Sequence, residues 1–148
     1  MLSEIPLAAV DRIIRKADLE KDRELRVSEE GVKALAAILI EHGIRLSREA
    51  IRAAEHAGRK TVKKIDLEYL LKEQIREKSS EIPAAPVKRL MMSTGNSRIS
   101  IQAAEGMAAV LERYGKLIAK EAAYLADHSG RVTIKDTDII TAKKKLEL

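Results

Sequence analysis

The chain repeats itself, and this internal repeat limits the folds it can adopt more than any other feature of the sequence. The segment HAGRKTVKKID begins at His56, and HSGRVTIKDTD begins at His128, 72 residues later. The match extends in both directions, with an offset of 72 from Arg26 onward and of 77 around Ile5. Since each copy is about half of a 148-residue chain, neither can bury a large core alone. We therefore expect two related units that pack on each other.

The change of offset predicts an insertion and a linker. The first copy has five extra residues within LEKDREL, residues 19–25, and an insertion marks a surface connection rather than a packed element. The segment IREKSSEI, residues 75–82, is polar and is followed by two prolines, which is typical of a linker. We therefore divide the chain into a first unit at residues 1–77 and a second unit at residues 78–148.

Each copy predicts a short, a long and a short helix. The first helices are expected at about residues 7–17 and 84–93, and the third helices at about 64–76 and 136–146. The long helices follow Ser28 and Ser100, which are suitable N-caps, and end at Gly58 and Gly130. Apolar or small residues recur along them at steps of three and four. These residues are Val32, Leu35, Leu39, Leu46, Ala50, Ala53 and Ala57, and then Ala104, Met107, Leu111, Ile118, Ala122, Leu125 and Ser129.

The length of the long helices predicts that the two copies cross. A helix of about 28 residues spans about 42 Å, which is too long for one unit to cover. Gly43 and Gly115 occupy equivalent positions near the middle, where glycine costs about 1 kcal/mol relative to alanine. Close approach of the other copy's backbone would offset that cost, and a merely tolerated glycine is the alternative. Few residues alternate with period two, so we expect an all-α pseudo-dimer with strand-like spots only at RVS, KTV, RIS and VTI.

Composition excludes several classes of protein. The chain has no cysteine, which rules out a disulfide framework or a thiolate metal site and fits a cytoplasmic location. The start of the sequence does not resemble a signal peptide, and no apolar run approaches the length of a membrane span. The net charge of +5 permits an anionic partner, and it divides into +1 for the first unit and +4 for the second. No Gly-rich phosphate loop or catalytic constellation suggests an enzyme.

The repeated segments resemble archaeal histones, two of them fused head to tail. The resemblance rests on IPLAAVDRIIRKA, RVSEEGVKALAAILIEHG, REAIRAAEHAGRKTVKKIDLEYL and their partners in the second copy. It implies the histone fold, with the two copies paired in an intramolecular handshake. It also implies a chromosome-associated protein that wraps double-stranded DNA without reading sequence, and that needs no cofactor or small-molecule substrate. The alternative is a histone-fold scaffold subunit in a transcription-related assembly.

The resemblance also implies which residues contact DNA. Arg26 and Arg98 match the family's minor-groove arginines, and Thr61 and Thr133 match the threonines that pair with them across the handshake. Arg26 should therefore meet Thr133, and Arg98 should meet Thr61. Without the resemblance, each pair reads as a surface arginine and a helix-capping threonine. The remaining DNA-binding residues implied are Arg12, Arg15, Lys16, Lys60, Lys63, Lys88, Arg89 and Lys135.

The second copy departs from this pattern at three positions. Val132 stands where the first copy has Lys60, and Met92 and Ser93 stand where the first copy has Arg15 and Lys16. The substitutions remove cations from the second copy's loop and first helix. We therefore expect an asymmetric DNA-binding face.

Two further pairs have structural roles in the resemblance. Arg59 with Asp66, and Arg131 with Asp138, match an internal salt bridge that holds the second loop against the third helix. His56 is implied to bond an aspartate such as Asp66 across a bundle that joins two handshakes, which predicts a dimer of the two-fold chain. His128 with Asp138 preserves the same chemistry. A metal site at the histidines is disfavoured because no second ligand stands at a suitable spacing.

Overall fold

The computed structural model describes residues 5–17 and 25–147, and within them each copy forms a short, a long and a short helix. The first copy contains α1 (Leu7–Arg15), α2 (Glu29–His56) and α3 (Lys64–Leu71), and the second contains α4 (Ala84–Met92), α5 (Ile101–His128) and α6 (Asp136–Leu146). Short strands lie in the loops: β1 (Arg26–Val27), β2 (Thr61–Val62), β3 (Arg98–Ile99) and β4 (Thr133–Ile134). The predicted insertion at residues 19–25 lies, except for Leu25, outside the described residues.

The long helices begin and end where their capping residues predict. The Ser28 hydroxyl accepts a hydrogen bond from the Gly31 amide at 3.0 Å, and the Ser100 hydroxyl accepts one from the Ala103 amide at 3.0 Å. After the C-caps, Gly58 and Gly130 adopt φ angles of 77° and 75°, a left-handed conformation that glycine tolerates without strain.

The predicted ends of the shorter helices need correction. α3 ends at Leu71 rather than near residue 76, because Lys72 adopts a left-handed conformation with φ 57° and the chain leaves the helix. Beyond the turn, the Ile75 amide donates to a Glu68 carboxylate oxygen at 2.8 Å and the Ile75 side chain is buried. Ile75 packs beside Gly106 of α5, so burial against the other copy overrides continuation of the helix. α1 and α4 also end slightly earlier than predicted.

The two long helices cross at their central glycines. A Cβ at Gly43 would lie 3.1 Å from Leu90 and 3.3 Å from Leu111, both in the second copy. A Cβ at Gly115 would lie 3.4 Å from Ile13 and from Leu39, both in the first copy. The neighbours are side chains rather than the backbone that the sequence led us to expect. Gly43 is therefore required by close packing between the copies, whereas a methyl group at Gly115 would make ordinary contacts with the first copy.

One hydrophobic core runs through both copies. Each third helix packs on its own long helix and on that of the other copy, as do the short first helices, which makes an intramolecular handshake. The predicted stripes are buried along most of their length, but Ala53 and Leu125 are half-buried, and Ala57 and Ser129, the C-caps of the long helices, are exposed. In the described part of the chain, no helix is long and apolar enough to cross a membrane.

Candidate nucleic-acid interface

Two parallel strand pairs join the first loop of each copy to the second loop of the other. β1 pairs with β4, with Arg26 opposite Thr133, and β2 pairs with β3, with Thr61 opposite Arg98. The cross-copy pairing expected from the sequence is thus present in the backbone. We call the β1–β4 pair the Arg26 edge and the β2–β3 pair the Arg98 edge.

Alternation along the strands turns the polar side chains outward. The residues that follow the arginines and threonines point to the opposite side, and Val62, Ile99 and Ile134 among them are buried. The side chains of Arg26 and Arg98 are exposed, while the threonines are half-buried. Because the inward residues anchor each strand in the core, the arginines are presented from a fixed backbone.

The long helices begin directly beside these edges, and their N-termini differ in charge. The N-terminal amides of a helix attract anions such as phosphate. At the Arg26 edge, the first turn of α2 carries Glu29 and Glu30, which oppose that attraction, although Lys33 pairs with Glu29 at 3.0 Å. The first turn of α5, at the Arg98 edge, has no acidic residue. The two edges are therefore electrostatically unequal.

Both ion pairs that the sequence predicts are present, and each fixes a second loop. In the first copy, Arg59 bonds both carboxylate oxygens of Asp66, at 2.7 and 2.9 Å, and also donates to the Thr61 carbonyl at 3.1 Å. The Lys63 amide donates to the same Asp66 carboxylate at 2.7 Å. These contacts hold the strand that carries Thr61 against the start of α3.

The second copy repeats this network. Arg131 bonds the carboxylate of Asp138 at 2.8 and 2.9 Å and donates to the Thr133 carbonyl at 3.1 Å, and the Lys135 amide donates to Asp138 at 2.8 Å. The Arg131 hydrogen bond, which outweighs burial, lowers the pKa of Asp138. Burial alone would raise the pKa of Asp66, but the hydrogen bonds from Arg59 and the Lys63 amide lower it. Both carboxylates are therefore ionised at neutral pH.

The resemblance to archaeal histones places the first-helix cations at the centre of the DNA-binding face, between the two edges. Those of the first copy, on α1 and at its C-cap Lys16, already have carboxylate partners. Arg12 Nε donates to Glu81 at 2.7 Å, and Lys16 Nζ donates to the other Glu81 oxygen at 2.8 Å. Arg15 pairs with Asp11 at 2.8 Å, an i,i+4 contact that helix periodicity could have predicted. Glu81 lies more than 60 residues from its partners in sequence, so no local pattern identifies it.

The remaining predicted cations lie on the surface. Lys88 on α4 is half-buried, and the others are exposed: Lys60, Lys63, Arg89 and Lys135. Met92 and Val132, which replace cations of the first copy, are also exposed rather than absorbed into the core. The second copy therefore presents apolar side chains where the first copy presents charges.

His56 and Asp66 line one surface cavity of about 620 Å³ at the far end of the first copy. The same cavity is bordered by Ile65 and Tyr69, whose exposed fractions of 61% and 75% are high for large apolar side chains. Glu49 and Arg52 complete a rim that carries both signs of charge. We call this surface the first-copy groove.

The equivalent end of the second copy is different. Thr137 and Thr141 stand where the first copy has Ile65 and Tyr69. Tyr124 stacks on His128 with ring centroids 6.0 Å apart, and Lys145 lies 5.6 Å from the Tyr124 ring. The second copy therefore lacks the exposed isoleucine and tyrosine of the first-copy groove, but it exposes Tyr124 beside His128.

Comparisons with known proteins agree with this architecture. A family model described as "Histone-like transcription factor (CBF/NF-Y) and archaeal histone" matches residues 3–71 and 80–142. The HAN1 archaeal histone of Thermococcus zilligii is 46% identical over 71 residues, which are 48% of this chain and 98% of that protein. Probable archaeal histone 3 of Methanocaldococcus jannaschii is 37% identical with the same coverage.

A solved structure has the same fold over nearly the whole chain. The histone from Methanopyrus kandleri matches with a TM-score of 0.76 and 24% identity, covering 93% of this chain and 92% of that one. The family match spans both copies of the repeat, and the structural match includes the arrangement of one copy against the other. The chain therefore belongs to the family of histone-like transcription factors (CBF/NF-Y) and archaeal histones, and it consists of two histone folds in tandem.

Proposed function

We propose that this protein binds and wraps double-stranded DNA with little sequence preference, through contacts to phosphates and to the minor groove. The observation that carries the proposal is the duplicated edge, in which an exposed arginine of one copy stands beside a threonine of the other. Proteins that wrap DNA without base contacts insert arginines where the minor groove faces inward and bind adjacent phosphates with helix N-termini. Both elements occur together at each edge.

The arrangement of the cations supports wrapping rather than a single point of contact. The two edges lie at separate cross-copy strand pairs, and α1 with its C-cap and α4 add further cations: Arg12, Arg15, Lys16, Lys88 and Arg89. Lys60, Lys63 and Lys135 flank the threonines of the second loops. Contacts distributed in this way favour a bent duplex over a straight one, because bending brings more phosphates within reach.

A salt series tests the proposal. Affinity for random-sequence duplex DNA is measured for the native chain and for the double variant Arg26→Ala with Arg98→Ala. Release of counterions predicts a log–log slope of about −0.9 for each phosphate neutralised. We expect a steep slope and little sequence preference for the native chain, and weaker binding with a shallower slope for the double variant.

A matched control removes the same charge elsewhere. Arg48 and Arg76 are exposed and lie outside the predicted DNA-binding set, so Arg48→Ala with Arg76→Ala lowers the net charge equally. If both double variants lose affinity to the same extent, the edges have no special role. Weak binding with a shallow slope for the native chain would favour the alternative of a scaffold in a transcription-related assembly.

We further propose that two chains associate through the first-copy groove, and that the protein resides on the chromosome. The groove carries exposed apolar side chains between Glu49, Asp66, Arg52 and His56. A two-fold contact places the same patch on both partners, so a patch with both signs of charge can pair with itself. In this contact, His56 of one chain would bond Asp66 of the other, since both residues line the groove.

A further inference from the structure

The linker between the two copies places a carboxylate on two of the proposed central DNA-binding cations. Both oxygens of Glu81 are used, one by Arg12 and the other by Lys16. The Glu81 side chain is only 8% exposed, whereas Arg12 and Lys16 are 49% and 57% exposed. The carboxylate therefore lies behind the cations, and the group presents a net charge of +1 instead of +2.

The backbone of the linker is fixed at this point by a second carboxylate. Glu112, in the middle of α5, accepts hydrogen bonds from the Ser79 hydroxyl at 2.8 Å, the Ser80 amide at 3.0 Å and the Glu81 amide at 2.7 Å. The Glu112 side chain is 8% exposed and pairs with Lys116 at 3.2 Å. Because the Glu81 amide is held, its side chain cannot leave the cations by a movement of the linker alone.

The charge state of Glu81 agrees with this geometry. Hydrogen bonds from Lys16 and Arg12 lower the pKa of Glu81 and outweigh its burial. The carboxylate is therefore charged at neutral pH, where it interacts with the cations as a phosphate would.

We propose that Glu81 is a built-in competitor of DNA phosphate at the central site, an inference that rests on the DNA-binding function proposed above. A phosphate that approaches Arg12 and Lys16 must replace the carboxylate or share the cations with it. Either way, the central site contributes less to affinity and releases fewer counterions than two unpaired cations. The linker therefore weakens the centre of the DNA-binding face relative to the edges.

The other acidic residue of the linker, Glu77, provides a matched control. It pairs with Arg113 on α5, as Glu73 just before the linker also does, and Arg113 is outside the proposed DNA-binding set. Glu77→Gln and Glu81→Gln change the net charge by the same unit within the same linker. Only Glu81→Gln frees proposed DNA-binding cations.

The experiment compares DNA affinity across a salt series for the native chain, Glu81→Gln and Glu77→Gln. We expect Glu81→Gln to bind more tightly at low salt, with a slope steeper by about 0.9, the value for one additional phosphate contact. Because of this difference in slope, the affinity of Glu81→Gln relative to that of the native chain should fall about 3.5-fold between about 50 and 200 mM salt. Glu77→Gln should remain close to the native chain. In an Arg12→Ala, Lys16→Ala background, Glu81→Gln should have no effect.

The outcomes separate this inference from the proposed function. If Glu81→Gln binds no better than Glu77→Gln, or binds more weakly, Glu81 positions the cations instead of competing for them and the inference is wrong. Circular dichroism and thermal unfolding check that the variant folds. If it does not fold, Glu81→Asp, which keeps the charge but shortens the reach, should give an intermediate gain. If the native chain does not bind DNA, both proposals are wrong. If the double variant Arg26→Ala with Arg98→Ala loses binding but Glu81→Gln has unchanged affinity, only the inference about Glu81 is wrong.

Discussion

At the scale of single residues, His42 shows how the handshake determines the chemistry of a side chain. His42 on α2 stacks on Tyr114 of α5 with ring centroids 4.1 Å apart, and its Nδ1 accepts a hydrogen bond from Arg45 at 2.7 Å. Burial, and then the positive charges of Arg45 and Lys143, lower the pKa of His42 to about 4. The imidazole is therefore neutral above about pH 4. Nothing in the local sequence distinguishes His42 from an exposed histidine.

This shift predicts a specific dependence of stability on pH. The unfolded chain binds a proton at His42 below its ordinary pKa of 6.5, while the folded chain does not until about pH 4. The contribution of His42 to stability is therefore complete above pH 6.5 and declines as the pH falls from 6.5 to 4. Thermal unfolding of the native chain and of His42→Gln across this range measures it. The variant should lose less stability than the native chain between these pH values, and identical profiles would contradict the assignment.

At the scale of elements, the sequence predicts those features that are specified locally. The bounds of the long helices can be predicted from the sequence, because Ser28 and Ser100 cap them and Gly58 and Gly130 end them. The end of α3 cannot be predicted in this way, because it depends on the burial of Ile75 against a helix about 30 residues further along the chain. The edges, which the sequence predicts, and the Glu81 contact, which it does not, both join residues that are distant in sequence. The edges follow from the resemblance to archaeal histones, applied to both copies, whereas the Glu81 contact depends on the path of the linker.

The central glycines differ in how closely they are packed, which predicts opposite effects of one substitution. Alanine favours a helix by about 1 kcal/mol over glycine. At Gly115 the new methyl would have neighbours at 3.4 Å, close to ordinary contact, so Gly115→Ala should be neutral or stabilising. At Gly43 it would meet Leu90 at 3.1 Å and Leu111 at 3.3 Å, and both leucines are buried with little room to move.

Gly43→Ala should therefore be less stable than Gly115→Ala, by about 1 kcal/mol or more, which corresponds to roughly 2–4 °C in Tm. Thermal unfolding of the two variants beside the native chain measures the difference. Since the substitutions are chemically identical and symmetrically placed, equal Tm values would show that the crossing is looser than the structure indicates.

At the scale of the whole molecule, fusion of the two copies has allowed opposite sides to diverge. The Arg98 edge combines Lys60 and Lys63 with a helix N-terminus that lacks acidic residues, whereas the Arg26 edge has Val132 in the loop and Glu29 in the first turn. A homodimer cannot make this distinction, because each substitution would appear at both edges. The ends away from the edges have diverged as well, and the difference there concerns association between chains.

The divergence of these ends predicts that association stops at two chains. The first-copy groove exposes Ile65 and Tyr69, while the second copy has Thr137 and Thr141 at the same positions. If only the groove associates, two chains use both of their grooves and leave none free for a third chain. We expect sedimentation equilibrium to give twice the chain mass of 16.4 kDa. Ile65→Thr with Tyr69→Thr, which gives the first copy the side chains of the second, should restore the single-chain mass.

Tyr124→Thr is the matched control for this experiment, since it removes an exposed aromatic side chain from the second copy. It should leave the two-chain mass unchanged. Larger assemblies that grow with concentration would mean that both ends associate and that the chain forms open arrays. A two-chain mass that survives the groove substitutions but is lost in Tyr124→Thr would place the contact on the second copy, where the stack of Tyr124 on His128 would then form part of the interface.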